Sequence, residues 1–304
     1  MCDVRVAVSG SHGLIGSALV ERLVESGHQP VRLSRGDDAA PDDIGWDPAA
    51  GRLDPAALDG IDAVVNLAGA GIGDHRWTES YKRTLLESRT RSTNLLAEAF
   101  AARPSGPRVF LSGSAIGIYG DRSDERLDES SSLGDDFLAS VARAWEASTA
   151  TAEAAGARVV HLRTGIVLAD HGGALKRMLP LFKLGVGGRF GDGRQWMSWI
   201  SLPDVVAALV HLLDSDVAGP VNLTAPEPVT NRDFARTLGH VLRRPSFVPV
   251  PRFGPKLLLG GELADALLFS SQRVAPDALV TDGFAHIHPQ LEAALRAVLQ
   301  RPTT

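Results

Sequence analysis

Apolar residues along this chain switch between two periods. Val4, Val6 and Val8 alternate with other residues, which predicts a buried strand over residues 5–9. From Leu14 onward, Ile15, Ala18, Leu19 and Leu23 recur at spacings near 3.6, the signature of an amphipathic helix, and a second strand is predicted at 30–34. After a short polar stretch containing Trp46-Asp47-Pro48, strongly apolar strands follow at 63–68, 108–112 and 158–162. Helices at about 81–101 and near 137–155 separate them. Continuous Val/Leu runs divided by helices predict a parallel sheet covered on both faces, an α/β doubly wound fold.

Beyond Thr164 the pattern loosens. Helices are predicted at 175–184, 203–213, 231–242 (with Thr230 or Asn231 as N-cap), 256–268 and 289–299, with short strands at 221–223 and 247–250. A glycine-rich loop spans 185–193. The expected organisation is a dinucleotide-binding domain over 1–165, onto which 203–223 packs back. A smaller, interleaved C-terminal substrate-side domain covers 166–304.

Between the first strand and the first helix stands Gly10-Ser11-His12-Gly13-Leu14-Ile15-Gly16. Glycine reaches positive φ and lets the main chain approach a ligand, while a helix start presents unpaired N–H groups and partial positive charge. Strand, glycine turn, helix and second strand together form the Rossmann-type context for a pyrophosphate. In such units an Asp or Glu near the end of the second strand accepts from the ribose 2′-OH and favours NAD. Here Ser34 and Arg35 stand at that point, and a guanidinium pairs with a 2′-phosphate, so NADP(H) is the expected cofactor. The alternative is Arg35 as a solvated loop charge, with Asp37 or Asp38 turned toward the ribose.

Composition narrows the partners. The chain has 304 residues, 44% of them hydrophobic, enough for a large core, and a formal charge of -5, which argues against nucleic acid or an anionic membrane. The single Cys2 rules out an internal disulfide framework, and no Cys/His spacing resembles a metal site. Asp3 and Arg5 interrupt any N-terminal apolar stretch and no run is long enough to span a membrane, so a cytoplasmic protein is the default.

Several longer segments carry a resemblance: GSHGLIG (10–16), NLAG (66–69), RWTES (76–80), SGSAIGIYG (112–120), LRTGIVL (162–168), GRQWMSWI (193–200), PVTNRDF (228–234) and SSQRVAP (270–276). Over nearly its whole length the chain resembles the extended and atypical short-chain dehydrogenase/reductases, more closely their nucleoside-diphosphate-sugar epimerase-like branch. The resemblance implies that Asn66, Leu67, Ala68 and Gly69 line the adenine and ribose side. It also implies that Ser112 and Ser114 orient a substrate oxygen beside the nicotinamide, and that Arg163, Thr164 and Gly165 reach the nicotinamide end. Arg194, Gln195, Trp196 and Trp199 would then face a small substrate, which Arg194 suits to be anionic. The bland readings are that Asn66 stitches the sheet and that both tryptophans are junction core.

The same resemblance implies a tyrosine with a lysine four residues later on the helix after the serine strand, a general acid/base pair. That helix holds neither. The two tyrosines are Tyr81 and Tyr119, and positions 85 and 123 are Leu and Ser. Ser114 with Tyr119 is the preferred substitute, Ser112 beside them. Arg143 with Glu146 is weighed as a replacement pair, though more simply a surface ion pair, and His12 is more simply a cofactor contact than a base. Two readings of different class remain: an NADP(H)-dependent oxidoreductase or epimerase-like enzyme, and a non-catalytic NADPH-binding regulator or scaffold. The 81–101 helix offers a face for a homodimer without demanding one.

Overall fold

The computed structural model describes residues 4–36, 40–103 and 106–301. The first lobe alternates β1 (Arg5–Ser9), α1 (Leu14–Glu25), β2 (Gln29–Ser34), β3 (Ile44–Asp47), β4 (Arg52–Leu53), β5 (Ala63–Asn66), α2 (Glu79–Ala102) and β6 (Val109–Ala115). It continues through β7 (Arg126–Leu127), α3 (Phe137–Ala147), α4 (Ala150–Ala154) and β8 (Arg158–Thr164). The chain then forms β9 (Ile166–Leu168), α5 (Gly173–Lys183), β10 (Trp196–Met197), β11 (Trp199–Ser201), α6 (Leu202–Asp214) and β12 (Gly219–Leu223). The last elements are β13 (Val229–Thr230), α7 (Asn231–Leu242), α8 (Phe253–Leu259), α9 (Gly261–Ala264), β14 (Arg273–Val274), α10 (Asp277–Thr281) and α11 (Leu291–Val298).

The main sheet has eight strands in the order β12-β8-β6-β5-β1-β2-β3-β4, parallel except for the β3–β4 hairpin. Strand order reverses beside β1, which opens the crevice at the carboxyl ends of β1 and β5 where such sheets bind ligands. One face buries Val6, Val8, Val65, Leu111 and Leu162 under α1, α6 and Leu279 of α10. The other buries Ala7, Leu33, Val64 and Phe110 under Leu96 and Phe100 of α2 and Ala152 of α4. A third core joins β9, α5, β11, α7 and α11 around Trp199 and Phe234. Because α6 and β12 complete the main sheet, the chain crosses between the two lobes more than once.

Local chemistry sets the boundaries. Thr78, Asp136, Ser201 and Thr230 cap α2, α3, α6 and α7 by accepting from backbone N–H groups of the first turn. The predicted 137–155 helix is two helices. Ser148 Oγ and Thr149 Oγ1 donate to the carbonyls of Ala144 and Glu146, and the chain bends there. The predicted 256–268 helix is likewise divided, at Gly260, whose φ of 96° suits glycine and interrupts α-helical geometry. Residues 247–250 form no strand; Val250 alone bridges to Phe190, and Phe247 is exposed. Strand β3 was hidden because only four residues form it, around a buried Trp46.

Candidate functional site

The glycine turn is shaped by close contact. Gly10 has φ 65°, and a Cβ there would lie 2.8 Å from the Leu67 carbonyl carbon; a Cβ on Gly16 would run into the Gly10 carbonyl. Gly13 N–H donates to Gly10 O at 2.9 Å, tightening the turn. Helix α1 then starts at Leu14 with Gly13 as N-cap, no side chain capping it and no acidic residue in its first turn. Ser11 is buried and His12 exposed, 3.4 Å apart from Oγ to Nδ1. A bare helix terminus inside a glycine turn is open to an anion such as pyrophosphate.

The end of β2 differs from the sequence reading in one respect. Ser34 Oγ donates to Asp43 Oδ2 at 2.6 Å, so its hydroxyl is engaged by a carboxylate of the chain. Sequence reasoning missed Asp43 because it precedes the unrecognised β3. Arg35 is exposed, and Arg32 Nη1 donates to Ser11 O at 3.2 Å, linking β2 to the glycine turn. Asp37 and Asp38 lie outside the described residues.

Across the crevice, Asn66 turns inward and is fully buried. Its Oδ1 accepts from Ser9 Oγ at 2.5 Å and from Ala68 N at 3.3 Å, and its Nδ2 donates to Thr93 Oγ1 at 2.9 Å. The side chain therefore does not line the ribose side; it fixes the turn. Leu67 and Ala68 are half-buried and Gly69 is exposed.

At the carboxyl end of β6 three elements converge. Ser114 Oγ donates to Glu146 Oε1 of α3 at 2.6 Å, and Arg163 of β8 grips the same carboxylate through Nε and Nη2 at 2.9 and 3.0 Å. Burial pushes the Glu146 carboxyl up, but the hydrogen bonds from Arg163 and Ser114, together with the Arg163 charge, outweigh it and hold the pKa below its ordinary value. Arg143, weighed as the partner of Glu146, instead donates to Gly134 O. His161 Nδ1 stands 3.9 Å from Glu146 and its Nε2 2.9 Å from Thr149 Oγ1; burial lowers its pKa against the pull of Glu146 and Glu153.

Two expectations need correcting here. Tyr119 is 0% exposed, donates to Asn222 Oδ1 at 2.8 Å and accepts from Arg163 Nη1 at 3.0 Å, and burial raises its pKa. Its phenol is a buried strut without access to substrate. The Arg163 guanidinium, expected to reach the nicotinamide itself, is taken up by Glu146, Tyr119 and the Glu129 carbonyl. Ser112 Oγ is buried without a hydrogen-bond partner, and Gly113, between the serines, lies against the Trp145 ring. Thr164 Oγ1 donates to Leu162 O, and a Cβ on Gly165 would lie 2.6 Å from Ser198 O, so that turn needs glycine's small size.

A cavity of about 480 Å³ is lined by Arg194 and Gln195 together with Asp121, Asp124, Arg252 and Phe269. Gln195 Nε2 donates to Leu268 O at 2.8 Å, tying the loop to the far wall. Trp196 Nε1 donates to Asp124 Oδ1 at 2.8 Å, under the Arg273 guanidinium 4.5 Å from its ring. Trp199, also expected to face substrate, does not reach this cavity. It is fully buried in the third core and donates to Glu227 O at 3.1 Å.

Residues 6–224 match the model of the NAD dependent epimerase/dehydratase family. The chain belongs to that family. Residues 250–298 of this epimerase-family chain match a domain of unknown function, DUF1731. Epimerase family protein Mb2239 of Mycobacterium bovis is 42% identical over 303 residues, covering 99% of this chain and 100% of the relative. The crystal structure of human epimerase family protein SDR39U1 with NADPH superposes with TM-score 0.88 at 34% identity, covering 98% of this chain and 99% of that one. A Corynebacterium glutamicum structure described as a nucleoside-diphosphate sugar epimerase is 38% identical with TM-score 0.80, covering 98% of this chain and 58% of that one. In this family member, α3 supplies Glu146 to the end of β6, and between Phe137 and Ala147 it has neither tyrosine nor lysine.

Proposed function

We propose that this chain is an NADP(H)-dependent oxidoreductase of epimerase type that acts on a small polar, anionic substrate, with Ser114 and Glu146 handling the proton. The observation that carries the reading is the Ser114–Glu146–Arg163 constellation, on the same carboxyl edge of the sheet as the uncapped glycine turn. The glycines and free α1 terminus fit a dinucleotide pyrophosphate. Arg32 and Arg35, with no carboxylate on β2 itself, favour a 2′-phosphate, and human SDR39U1 was crystallised with NADPH. Arg194 and Gln195 supply polar contacts on the substrate side.

When bound, NADP(H) supplies or accepts the hydride. Ser114 directs its proton to Glu146, so its lone pairs are left to accept from a substrate hydroxyl. As Ser114 takes that proton it passes its own to the carboxylate, and the reverse transfer serves a carbonyl. Arg163 keeps Glu146 anionic and oriented until that moment.

Titration with NADPH and NADH tests the cofactor, and tighter binding of NADPH is the expected result. Incubation of C4-deuterated NADPH with a metabolite extract tests the chemistry. Deuterium should appear in a product with the wild-type chain and be lost with Ser114→Ala. Tight NADPH binding without deuterium transfer would overturn catalysis and leave a cofactor-binding regulator.

A further inference from the structure

The five most exposed large apolar side chains among the described residues are Leu257 at 79%, Leu184 and Phe247 at 76%, and Phe253 and Leu258 at 74%. All five belong to one part of the C-terminal lobe: the end of α5, the loop after α7 and the seven-residue helix α8. Leu181, Val186 and Val248 stand exposed among them. Apolar residues scattered singly over a surface are ordinary, whereas a group of them marks a face that something covers.

Backbone contacts join these segments into one surface. Val250 N–H donates to Arg189 O at 2.8 Å and Gly191 N–H to Val250 O at 3.0 Å, so residues 184–191 run beside 245–252. A Cβ on Gly185 would lie 3.3 Å from Pro245 Cγ, and one on Gly191 would lie 3.5 Å from Arg252 Cγ. The same stretches are basic. Residues 176–194 and 232–256 hold eleven Lys and Arg against two Asp and no Glu, in a chain whose formal charge is -5. Arg236 pairs with Asp233, and Arg252 and Lys256 share Asp265, but among the described residues no carboxylate pairs with Lys183, Arg243 or Arg244. The whole-chain charge, which argues against an anionic membrane, conceals this asymmetry.

We propose that this face docks on the surface of a lipid bilayer carrying anionic headgroups, with Phe247, Phe253, Leu257 and Leu258 entering the headgroup boundary and Lys183, Arg243 and Arg244 meeting the lipid charge. Exposed Phe and Leu beside unpaired Lys and Arg are the chemistry of an interfacial anchor. The apolar groups stand on loop ends and a short helix. A fluid layer receives them without a shaped counterpart, which a protein partner would have to supply. A second copy docked through the same face would set these cations against one another. The inference is independent of the cofactor reading above.

The test is co-sedimentation of the full chain with vesicles of phosphatidylcholine alone and of an equimolar mixture with phosphatidylglycerol, at low and high salt, with circular dichroism to verify folding. The wild type should pellet with the mixed vesicles, far less with phosphatidylcholine alone, and less as salt rises. The Arg243→Glu, Arg244→Glu double variant should bind the mixed vesicles about 10- to 100-fold more weakly, through the lost attraction of each basic residue to the surface. The Phe247→Ser, Phe253→Ser double variant should lose about 10-fold or more through lost apolar burial. Val24→Ser, at an exposed apolar position on α1, should leave binding unchanged. All five side chains are exposed, so the substitutions leave the packed cores intact. Wild type that stays in the supernatant with mixed vesicles overturns the proposal. The face then joins two copies if sedimentation in buffer depends on concentration and Phe247→Ser, Phe253→Ser abolishes that dependence. Equal pelleting with both vesicles that ignores the arginine substitutions also overturns it, as does a loss in Val24→Ser equal to that of the phenylalanine variant.

Discussion

At the β1 end of the crevice the groups proposed to meet the cofactor are main-chain amides within seven consecutive residues, Gly10 to Gly16. At the β6 end the groups proposed to serve the reaction are side chains of Ser114, Glu146 and Arg163, drawn from a strand, a helix and another strand. The first end tolerates almost no side-chain atoms, because the chain packs on itself at Gly10 and Gly16. The second depends on a buried charge pair whose partners lie 17 residues apart in sequence. Damage at the first end should therefore act through steric exclusion and be independent of pH. Damage at the second should act through electrostatics and follow pH.

The largest effect is expected from Gly16→Val, which forces a branched side chain against the Gly10 carbonyl. Stability should fall by about 1–3 kcal/mol through overpacking, and NADPH binding should disappear; retained NADPH affinity in fluorescence titration would refute the assignment of the turn. Next is Glu146→Gln, which leaves the Arg163 guanidinium buried without its counter-charge and should cost about 3–5 kcal/mol in urea unfolding at neutral pH. The sign of its pH dependence follows from the depressed folded-state pKa of Glu146. The stabilisation is fully present above the ordinary value of 4.5 and is lost as pH falls through the lowered value, so the variant's deficit should shrink in acid. A deficit constant with pH would place the effect in packing.

Ser114→Ala should sharpen the contrast from the catalytic side, lowering deuterium transfer by about 100-fold while leaving the NADPH Kd unchanged. A matching loss of affinity would mean that Ser114 shapes the cofactor site and does not handle the proton. The smallest change is expected from Asp43→Asn. Removing a half-buried negative charge beside Ser34 should favour the 2′-phosphate and raise the NADPH-over-NADH preference by about threefold, less than a full charged hydrogen bond. A shift toward NADH would show that Asp43 works by positioning Arg35.

The readable parts of the site share a property. Gly10, Gly13 and Gly16 announce their turn because its physical demand is local: a turn, a bare helix start and the strand before it occupy one short stretch. The same holds for the capped helix start at Thr230. Ser114 was found by resemblance, but its partner was not, since nothing within α3 distinguishes Glu146 from a surface carboxylate paired with Arg143. Tyr119 was drawn to the site by its place near the serines and Trp199 by resemblance, and their burial is a property of the packed lobes. Asp43 gave no signal because it sits in a stretch whose pattern is ordinary for a loop.

The chain's periodicity and its glycines determined, unaided, an α/β doubly wound sheet and the place of its first glycine turn, because strand alternation, helical spacing and positive φ act over a few neighbouring residues. Only the tertiary structure decided which polar groups face one another at the β6 end. The Glu146 carboxylate is anionic and directed at Ser114 because β8 brings Arg163 to it, and Tyr119 is enclosed because β12 brings Asn222 over its hydroxyl. Electrostatic partnership and burial depend on distance in space, which spacing along the chain does not record.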